Sequence, residues 1–313
     1  MSTAVGPEEV EVGAPGELFA LWEHQSWSSS AIVLDEDVEQ WPALGRFARQ
    51  ELEAAIGQLH HAEEAVASTL APICGAAPTR EDQQYLSSQL ADEARHTRFF
   101  DRYRQTVMAA SSGADETPQA FARLFDDELA RRTEAVRVSP GDERAWYEAV
   151  TLYHLIAEGV LALGVLRPML AMLRELDRLP ALATGVTNVL RDEVRHVRFG
   201  IHALRRGVAT GQRDAIETTV AVGVPLVARV LVDPERRVAG ATLPAARQIV
   251  GTRLEDTYMR ARERLARRLR AVGLDDLVER EQGSFDGALA GAYRAYEELH
   301  GAPHPAAWVA AGG

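Results

Sequence analysis

The sequence predicts an all-α fold, a four-helix core with additional helices, and three observations support that class. Apolar residues recur at helical spacing from about residue 41 to residue 300, without a Ser/Gly-rich or Pro-rich linker in the middle. The 313 residues are enough for one large helical domain. Two Glu-x-x-His pairs, Glu93/His96 and Glu193/His196, lie within the helical stretches, and each places a carboxylate and an imidazole on one helix face.

The domain organisation follows from composition. Residues 1–16 are acidic and Gly-rich and are predicted to form a flexible N-terminal arm. Residues 17–300 are predicted to form the single helical domain, and residues 301–313 a flexible C-terminal tail. Within the domain, residues 17–37 show no clear apolar period, so we expect an extended cover over the helical bundle.

The first core helix is predicted over about residues 42–73. Its apolar stripe, spaced alternately by four and three residues, contains Leu52, Ile56, Leu59, Glu63, Val66 and Leu70. Glu63 lies within that stripe, whereas Glu64 lies on a different face of the helix. The pattern therefore predicts Glu63 as the inward-pointing carboxylate.

The second core helix is predicted to open at Thr79, because Asp82 follows at the spacing of a capping box. Its stripe contains Leu86, Leu90, Glu93, His96, Phe100, Tyr103 and Val107. A shorter helix over about residues 117–136 connects it to the other half of the bundle.

The third core helix, about residues 142–176, is apolar nearly all round near Glu158, as expected of a central buried helix. Pro168 is expected to kink or end its first section. After a break at residues 177–180, a fourth core helix has the stripe Val186, Val189, Glu193, His196, Gly200 and Leu204. Further helices are predicted at about residues 214–232, 244–272 and 275–300.

Composition argues against several classes of partner. The net charge of −12 and the pI near 5.3 make nucleic acid an unexpected partner. No stretch reaches the ~18 uncharged apolar residues of a membrane span. A single cysteine, Cys74, excludes an intramolecular disulfide, so we expect a soluble cytoplasmic protein.

The two Glu-x-x-His pairs and two single glutamates interrupt apolar stripes, which places four carboxylates in the core. Buried carboxylates need compensating charge, and two divalent cations supply it. The chain has no Lys, and the alternative is a buried ion network with nearby Arg95, Arg191, Arg195 and Arg198. Oxygen-rich ligation with one imidazole per metal favours iron or manganese over zinc. Asp192 either orients a ligand histidine or lies on the surface.

The order of these residues resembles a known family. Glu63, Glu93-x-x-His96, Glu158 and Glu193-x-x-His196, with the strings DEARH and RDEVRH, are similar to the ribonucleotide-reductase-like branch of the ferritin-like superfamily. The strings EEAV, YHLIAEGVLAL and RDEVRHVRFG resemble, more narrowly, the ligand-binding oxidases related to the reductase small subunit. The resemblance covers about residues 41–206, and it implies a ferritin-like dimetal-carboxylate fold.

The resemblance also implies a chemistry and its residues. A manganese–iron pair, or two irons, would activate dioxygen for C–H oxidation and form an ether between Tyr153 and Val66. A long-chain fatty acid would bind at the metals, and a homodimer is expected. Tyr153 lies five residues before Glu158, about 140° round an α-helix, so we expect it to border the site rather than point at the metals. By the resemblance, manganese would be held by Glu63, Glu93 and His96, and iron by Glu158, Glu193 and His196.

Four other functions share parts of this residue pattern or of this helical architecture. A Tyr-less manganese–iron reductase subunit is compatible with Phe100 in the position of the usual radical tyrosine, but residues 301–313 contain no Tyr for a relay. A diiron monooxygenase would have Thr where Ala162 stands, and an arylamine N-oxygenase would have His where Val189 stands. A metal-storage ferritin, the non-enzyme alternative, would be about half this length.

Overall fold

The computed structural model describes residues 12–109, 118–236 and 254–304, apart from the side chains of residues 47, 51 and 254–257. All regular elements in these ranges are helical, so the all-α prediction is confirmed. The first six α-helices are α1 Pro15–Gln25, α2 Asp35–Gln40, α3 Arg46–Gly75, α4 Arg80–Thr106, α5 Gln119–Ala122 and α6 Ala130–Val138. The other six are α7 Glu143–Val150, α8 Leu163–Leu176, α9 Pro180–Ala209, α10 Arg213–Leu231, α11 Leu254–Val272 and α12 Val278–His300.

Two π-helical segments join some of these helices into longer ones. Arg123–Leu129 connects α5 to α6, and Thr151–Ala162 connects α7 to α8. Short 3-10 turns cover Ser29–Ala31, Trp41–Ala43 and Asp275–Leu277. The predicted helix over residues 244–272 is observed from Leu254, and its first ten residues lie outside the described residues.

The predicted helix start at Thr79 has the expected capping side chain. Thr79 Oγ1 accepts a hydrogen bond from the backbone N–H of Asp82 at 3.1 Å, which satisfies a free donor at the start of α4. Asp142 caps α7 in the same way through Ala145 N–H at 3.2 Å. The predicted break after α8 is also observed, with Asp177 in the left-handed backbone region.

Residues 17–37 contain helix rather than an extended segment, so that prediction was wrong. Helix α1 starts with Pro15 in its first turn, and the Glu17 side chain accepts a hydrogen bond from the Ala14 N–H at 3.0 Å. Only Pro15 and Leu18 of α1 are buried, which is why no apolar period is visible in the sequence. The segment still covers the bundle, because α1 packs against α4 and α9.

Asp37 fixes this cover to the bundle. Its carboxylate accepts hydrogen bonds from the backbone N–H groups of Ala181 and Leu182, both at 2.9 Å, at the start of α9. Tyr103 of α4 donates to the same carboxylate at 2.9 Å. A fully buried aspartate thus caps one core helix and binds another.

The long helix Glu143–Leu176 forms the centre of the molecule. Among the described residues it is the one helix apolar and long enough to match a membrane span, but 89% of its most apolar window is buried inside the protein. It packs against α9, α10 and α11. Pro168 does not end it, since α8 continues to Leu176.

Two apolar clusters divide the interior along the core helices. On α3, Ile56 and Leu59 belong to one cluster, and Val66 and Leu70 belong to the other. The same division occurs on α4 between Leu86 and Phe99, and on α9 between Val189 and Val197. The stripe positions between the two clusters are those of Glu63, Glu93, His96, Glu193 and His196, which places these residues in the middle of the bundle.

Candidate metal centre

The six predicted ligand side chains converge in the interior. They form two groups, and within each group one potential ligand atom per residue lies within 4.8 Å of all the others. All six residues are buried, with exposed fractions of 5% or less. The first group contains Glu63, Glu93, His96 and Glu193, and the second contains Glu93, Glu158, Glu193 and His196.

Four core elements supply these side chains. Helix α3 carries Glu63, helix α4 carries Glu93 and His96, the π segment carries Glu158, and α9 carries the last pair. Glu63 is buried whereas the side chain of Glu64 is 58% exposed, as the apolar stripe predicts.

Glu93 and Glu193 lie between the two histidines. Glu93 Oε2 is 3.3 Å from His96 Nδ1, and Glu93 Oε1 is 3.4 Å from His196 Nδ1. Glu193 Oε1 is 3.6 Å and 3.7 Å from the same two nitrogens. Two carboxylates are therefore shared by both groups, with the imidazole rings 6.1 Å apart.

The outer two carboxylates each face one histidine. Glu63 Oε2 lies 3.3 Å from His96 Nδ1, and Glu158 Oε1 lies 3.4 Å from His196 Nδ1. Each histidine thus directs its Nδ1 atom towards three carboxylates. This symmetric arrangement of two imidazoles and four carboxylates has the composition and order of a dinuclear carboxylate site in a helical bundle.

The protonation equilibria show that these carboxylates lack compensating charge. Burial raises the pKa of Glu63 to about 7 despite its contact with His96. Burial and the neighbouring carboxylates raise the pKa of Glu158 and of Glu193 well above the usual range. The protein alone therefore does not stabilise the charged forms of three of the four glutamates.

Among these residues, Glu93 and His96 form the pair that carries charge, a carboxylate and an imidazolium. Burial alone would raise the pKa of Glu93, but His196 and His96 lower it to about 2. Burial alone would lower the pKa of His96, but Glu63 and Asp192 raise it well above its ordinary value. Burial lowers the pKa of His196 to about 3, which keeps its ring neutral.

Several buried polar atoms of the described residues have no hydrogen-bond partner at this centre. They are Glu93 Oε2, Glu158 Oε2, Glu193 Oε2 and His196 Nδ1. Unsatisfied buried acceptors are costly, and all of these atoms are typical metal ligands. The donor set of four carboxylates and two imidazoles fits two divalent cations.

Each histidine is oriented by the aspartate of the other Glu-x-x-His motif. His96 Nε2 lies 3.3 Å from Asp192 Oδ2, and His196 Nε2 lies 3.1 Å from Asp92 Oδ2. Arg195 donates to both aspartates, at 2.6 Å and 2.9 Å. Asp192 therefore orients a histidine rather than lying on the surface. Asp92 was missed, although the repeated Asp-Glu-x-x-His order was a signal for it.

The N-terminal cover contributes two further donors that the sequence did not predict. Trp22 Nε1 donates to Asp92 at 2.9 Å, and Trp27 Nε1 donates to Asp192 at 2.7 Å. Arg95 also binds Asp92, and its guanidinium lies over both indole rings. The arginines Arg95 and Arg195 are thus paired with the two aspartates, not with the four glutamates.

Tyr153 points into the centre, which corrects the prediction that it would only border the site. Its hydroxyl donates to Glu93 Oε1 at 3.2 Å. The prediction assumed an α-helix, but Tyr153 and Glu158 both lie in the π segment Thr151–Ala162. The i→i+5 hydrogen bonds of a π-helix bring residues five apart to the same face. Val66 is buried in the same apolar cluster as Tyr153, one turn after Glu63.

Comparison with known proteins gives one family and one fold. A family model described as ribonucleotide reductase, small chain, matches residues 17–281. A variant of an R2-like ligand-binding oxidase with an aerobically reconstituted Mn/Fe cofactor has a similar structure, with 18% identity, a TM-score of 0.64, and coverage of 90% of this chain and 93% of that chain. The R2-like ligand-binding oxidase from Sulfolobus acidocaldarius has 22% identity, a TM-score of 0.57 and coverage of 94% of each chain. No curated protein sequence matches.

Proposed function

The chain belongs to the ribonucleotide reductase small-chain family, and on this premise we propose that it is a dimetal oxidase that uses dioxygen to oxidise a C–H bond. The observation that carries the proposal is the pair of overlapping carboxylate–histidine groups in the bundle core. Three raised carboxyl pKa values and unpartnered ligand atoms support two bound cations rather than a packed polar core.

The residues have distinct roles in holding the metals. Glu93 and Glu193 would help to hold both cations, because each faces both histidines. We propose manganese in the group of Glu63 and iron in the group of Glu158, with two irons as the alternative. The relatives with a Mn/Fe cofactor and the oxygen-rich donor set support this choice. Bound there, the metals would supply Lewis acidity and redox electrons for the reduction of dioxygen.

Tyr153 and Val66 are the proposed internal reactants. The ether would join Tyr153 Oη to Val66 Cβ, with loss of the phenolic hydrogen and of the hydrogen on Cβ. The two electrons and two protons released would pass to dioxygen. Tyr153 and Val66 are buried in one apolar cluster, and Tyr153 donates a hydrogen bond to Glu93. Both observations support this pairing. The same cluster excludes water from the reacting atoms.

A long-chain fatty acid or a similar apolar carboxylate is the proposed ligand. The relatives are called ligand-binding oxidases, and residues 155–161 beside Glu158 are all buried, mostly apolar side chains. An apolar wall next to a cation site suits a molecule with a carboxylate head and an aliphatic tail.

Homodimer formation and a cytoplasmic location stay predictions. The domain boundaries also stay predictions, because residues 1–11 and 305–313 lie outside the described residues.

A Tyr-less reductase subunit is the second candidate, because the family itself is that of the reductase small chain. Phe100 is fully buried at the position where a radical tyrosine would stand. Nucleotide reduction on addition of a reductase catalytic subunit would support this candidate. We expect no such turnover.

The primary test compares metal content and oxygen consumption in two matched variants. Metal-free protein is loaded anaerobically with Mn(II) and Fe(II), and then exposed to dioxygen. We expect two metals per chain and oxygen uptake in the wild type and in Glu64→Gln, whose side chain is exposed. Glu63→Gln should lose one metal and the oxygen uptake. A single zinc, or equal behaviour of the two variants, would contradict the proposed site.

A further inference from the structure

Gln89 and His154 are two fully buried polar residues beside the second group, and neither is among the proposed ligands. Gln89 lies one turn before Glu93 on α4. Its side-chain nitrogen donates to Glu158 Oε1 at 2.9 Å and to Glu93 Oε1 at 3.3 Å. One amide group thus contacts an outer carboxylate and a shared carboxylate at the same time.

The Gln89 amide donates to only one oxygen of Glu158 and one oxygen of Glu93. Glu158 Oε2 and Glu93 Oε2, the other oxygens, have no hydrogen-bond partner among the described residues. With two cations bound, both carboxylates would be ionised and would only accept hydrogen bonds, so the NH₂ group of Gln89 would face both glutamates. Gln89 therefore contacts, on each of the two glutamates, the oxygen that also lies 3.4 Å from His196 Nδ1.

His154 fixes the direction of this amide. Its Nε2 lies 3.0 Å from Gln89 Oε1, which can only accept, so Nε2 carries the hydrogen. Burial lowers the pKa of His154 to about 3, which keeps the ring neutral with one N–H. In this hydrogen-bond network, His154 therefore donates to Gln89, and Gln89 donates to Glu158.

Gly200 on α9 leaves the space that the His154 side chain occupies. Gly200 lies one turn after His196 on α9, and a Cβ there would overlap His154 Cβ. The ring also packs on Phe199, with ring centroids 5.4 Å apart. A glycine next to a ligand histidine thus lets α9 approach the π segment closely and restrains the His154 ring.

The first group lacks an equivalent amide within the described part of the chain. There, the side-chain partner of the outer carboxylate Glu63 is His96, at 3.3 Å. On the basis of the proposed function, we propose that Gln89, held by His154, is a positioning residue that acts mainly on the metal affinity of the second group, because its shorter hydrogen bond goes to Glu158. Loss of such supporting hydrogen bonds typically weakens metal binding ~10–100-fold.

The test measures Mn(II) binding to metal-free protein without oxygen, by calorimetry and by electron paramagnetic resonance of the free ion. Gln89→Leu keeps the side-chain volume but removes the amide. We expect one of the two Mn(II) sites to weaken ~10–100-fold and the other to change less than two-fold. The exposed Gln84→Leu, on the same helix, is the matched control and should bind as the wild type does.

Double variants identify the affected group. In a Glu63→Gln background, the remaining tight site is the second group, so adding Gln89→Leu should weaken it. In a Glu158→Gln background, the remaining site is the first group, and Gln89→Leu should change its affinity less than two-fold, because the contact of Gln89 with Glu93 is the longer one at 3.3 Å. Equal weakening in both backgrounds, or no weakening beyond the Gln84 control, overturns the positioning role.

His154 variants give an independent readout if Gln89→Leu does not fold. His154→Gln retains an N–H donor and should keep both affinities, whereas His154→Leu should weaken the second group. Equal affinities in these two variants overturn the role of His154. A wild type without two Mn(II) sites would instead reject the proposed function, so the two failures are distinguishable.

Discussion

Asp192 orients His96 rather than the histidine of its own motif, with its Oδ2 atom 3.3 Å from His96 Nε2. Asp92 makes the reciprocal contact with His196 at 3.1 Å. Each Asp-Glu-x-x-His helix therefore supports the imidazole of the other, and Arg195 joins the two aspartates. The two groups are coupled through their supporting residues as well as through the shared glutamates.

Asp192→Asn should weaken Mn(II) binding at the first group, although Asp192 is adjacent to Glu193. The amide is a poorer acceptor for the His96 N–H, so the imidazole loses its fixed orientation, and the expected loss is ~10–100-fold. Asp92→Asn is the matched variant and should act on the group of His196. Anaerobic titration of metal-free protein measures both. An effect confined to the group of the same motif would contradict the crossed arrangement.

The positions of the ligand side chains could be predicted because helical periodicity determines which face is buried. Glu63 and Glu64 are adjacent and chemically identical, yet only Glu63 continues the apolar stripe, and only Glu63 is buried. The cap at Thr79 could be predicted for a similar reason, since local side-chain chemistry determines where a helix starts.

Features that depend on tertiary contacts could not be predicted. The direction of Tyr153 follows from a π segment, and no local sequence rule distinguishes that segment from an α-helix. Trp22 and Trp27 come from a cover whose short helices bury too few residues to show a period. Their partners lie far away in the chain, so only the folded structure reveals the hydrogen bonds.

The proposed ether requires the hydroxyl of Tyr153. After aerobic loading with manganese and iron, we expect the peptides of Val66 and Tyr153 to be linked, with a mass lower by two hydrogen atoms. Tyr153→Phe should abolish the link. Tyr85→Phe is the control, because Tyr85 is also fully buried and its hydroxyl has no hydrogen-bond partner among the described residues. Mass spectrometry of the digests measures the link, and unlinked peptides in oxidised wild type would reject this chemistry.

Gly185 is needed for packing between α9 and the aromatic side chain of Phe99. A Cβ at Gly185 would overlap the Phe99 ring, which is itself fully buried. Gly185→Ala should therefore lower the free energy of unfolding by about 1–3 kcal/mol, the usual cost of overpacking. Gly283, inside α12, has no atom within 4 Å of the same position. Gly283→Ala should stabilise the protein by about 0.5–1 kcal/mol, because alanine favours the helix. Denaturant unfolding measures both changes, and the same sign in both would contradict the argument.

His304 should make stability depend on pH in the mildly acidic range. It is buried against Tyr293 and Tyr296, with ring centroids 5.2 Å and 4.8 Å away, and burial lowers its pKa to about 4. The unfolded chain binds the proton more readily, at its ordinary pKa near 6.5. The contribution of neutral His304 to the free energy of unfolding is therefore fully present above about pH 6.5 and decreases as the pH falls. It levels off below about pH 4, with a total loss on the order of 3 kcal/mol.

His304→Phe isolates this contribution, because phenylalanine keeps the ring packing but does not titrate. The unfolding free energy of the wild type minus that of the variant should decrease between pH 6.5 and pH 4, whereas the difference for Gly283→Ala, which changes no titratable group, should stay nearly constant. Denaturant titrations at half-unit pH intervals measure both differences. When the pKa of His304 is lower in the folded than in the unfolded protein, proton linkage requires this free-energy difference to decrease as the pH falls. A difference that increases or stays constant would therefore show that the folded protein does not hold the imidazole in its neutral form.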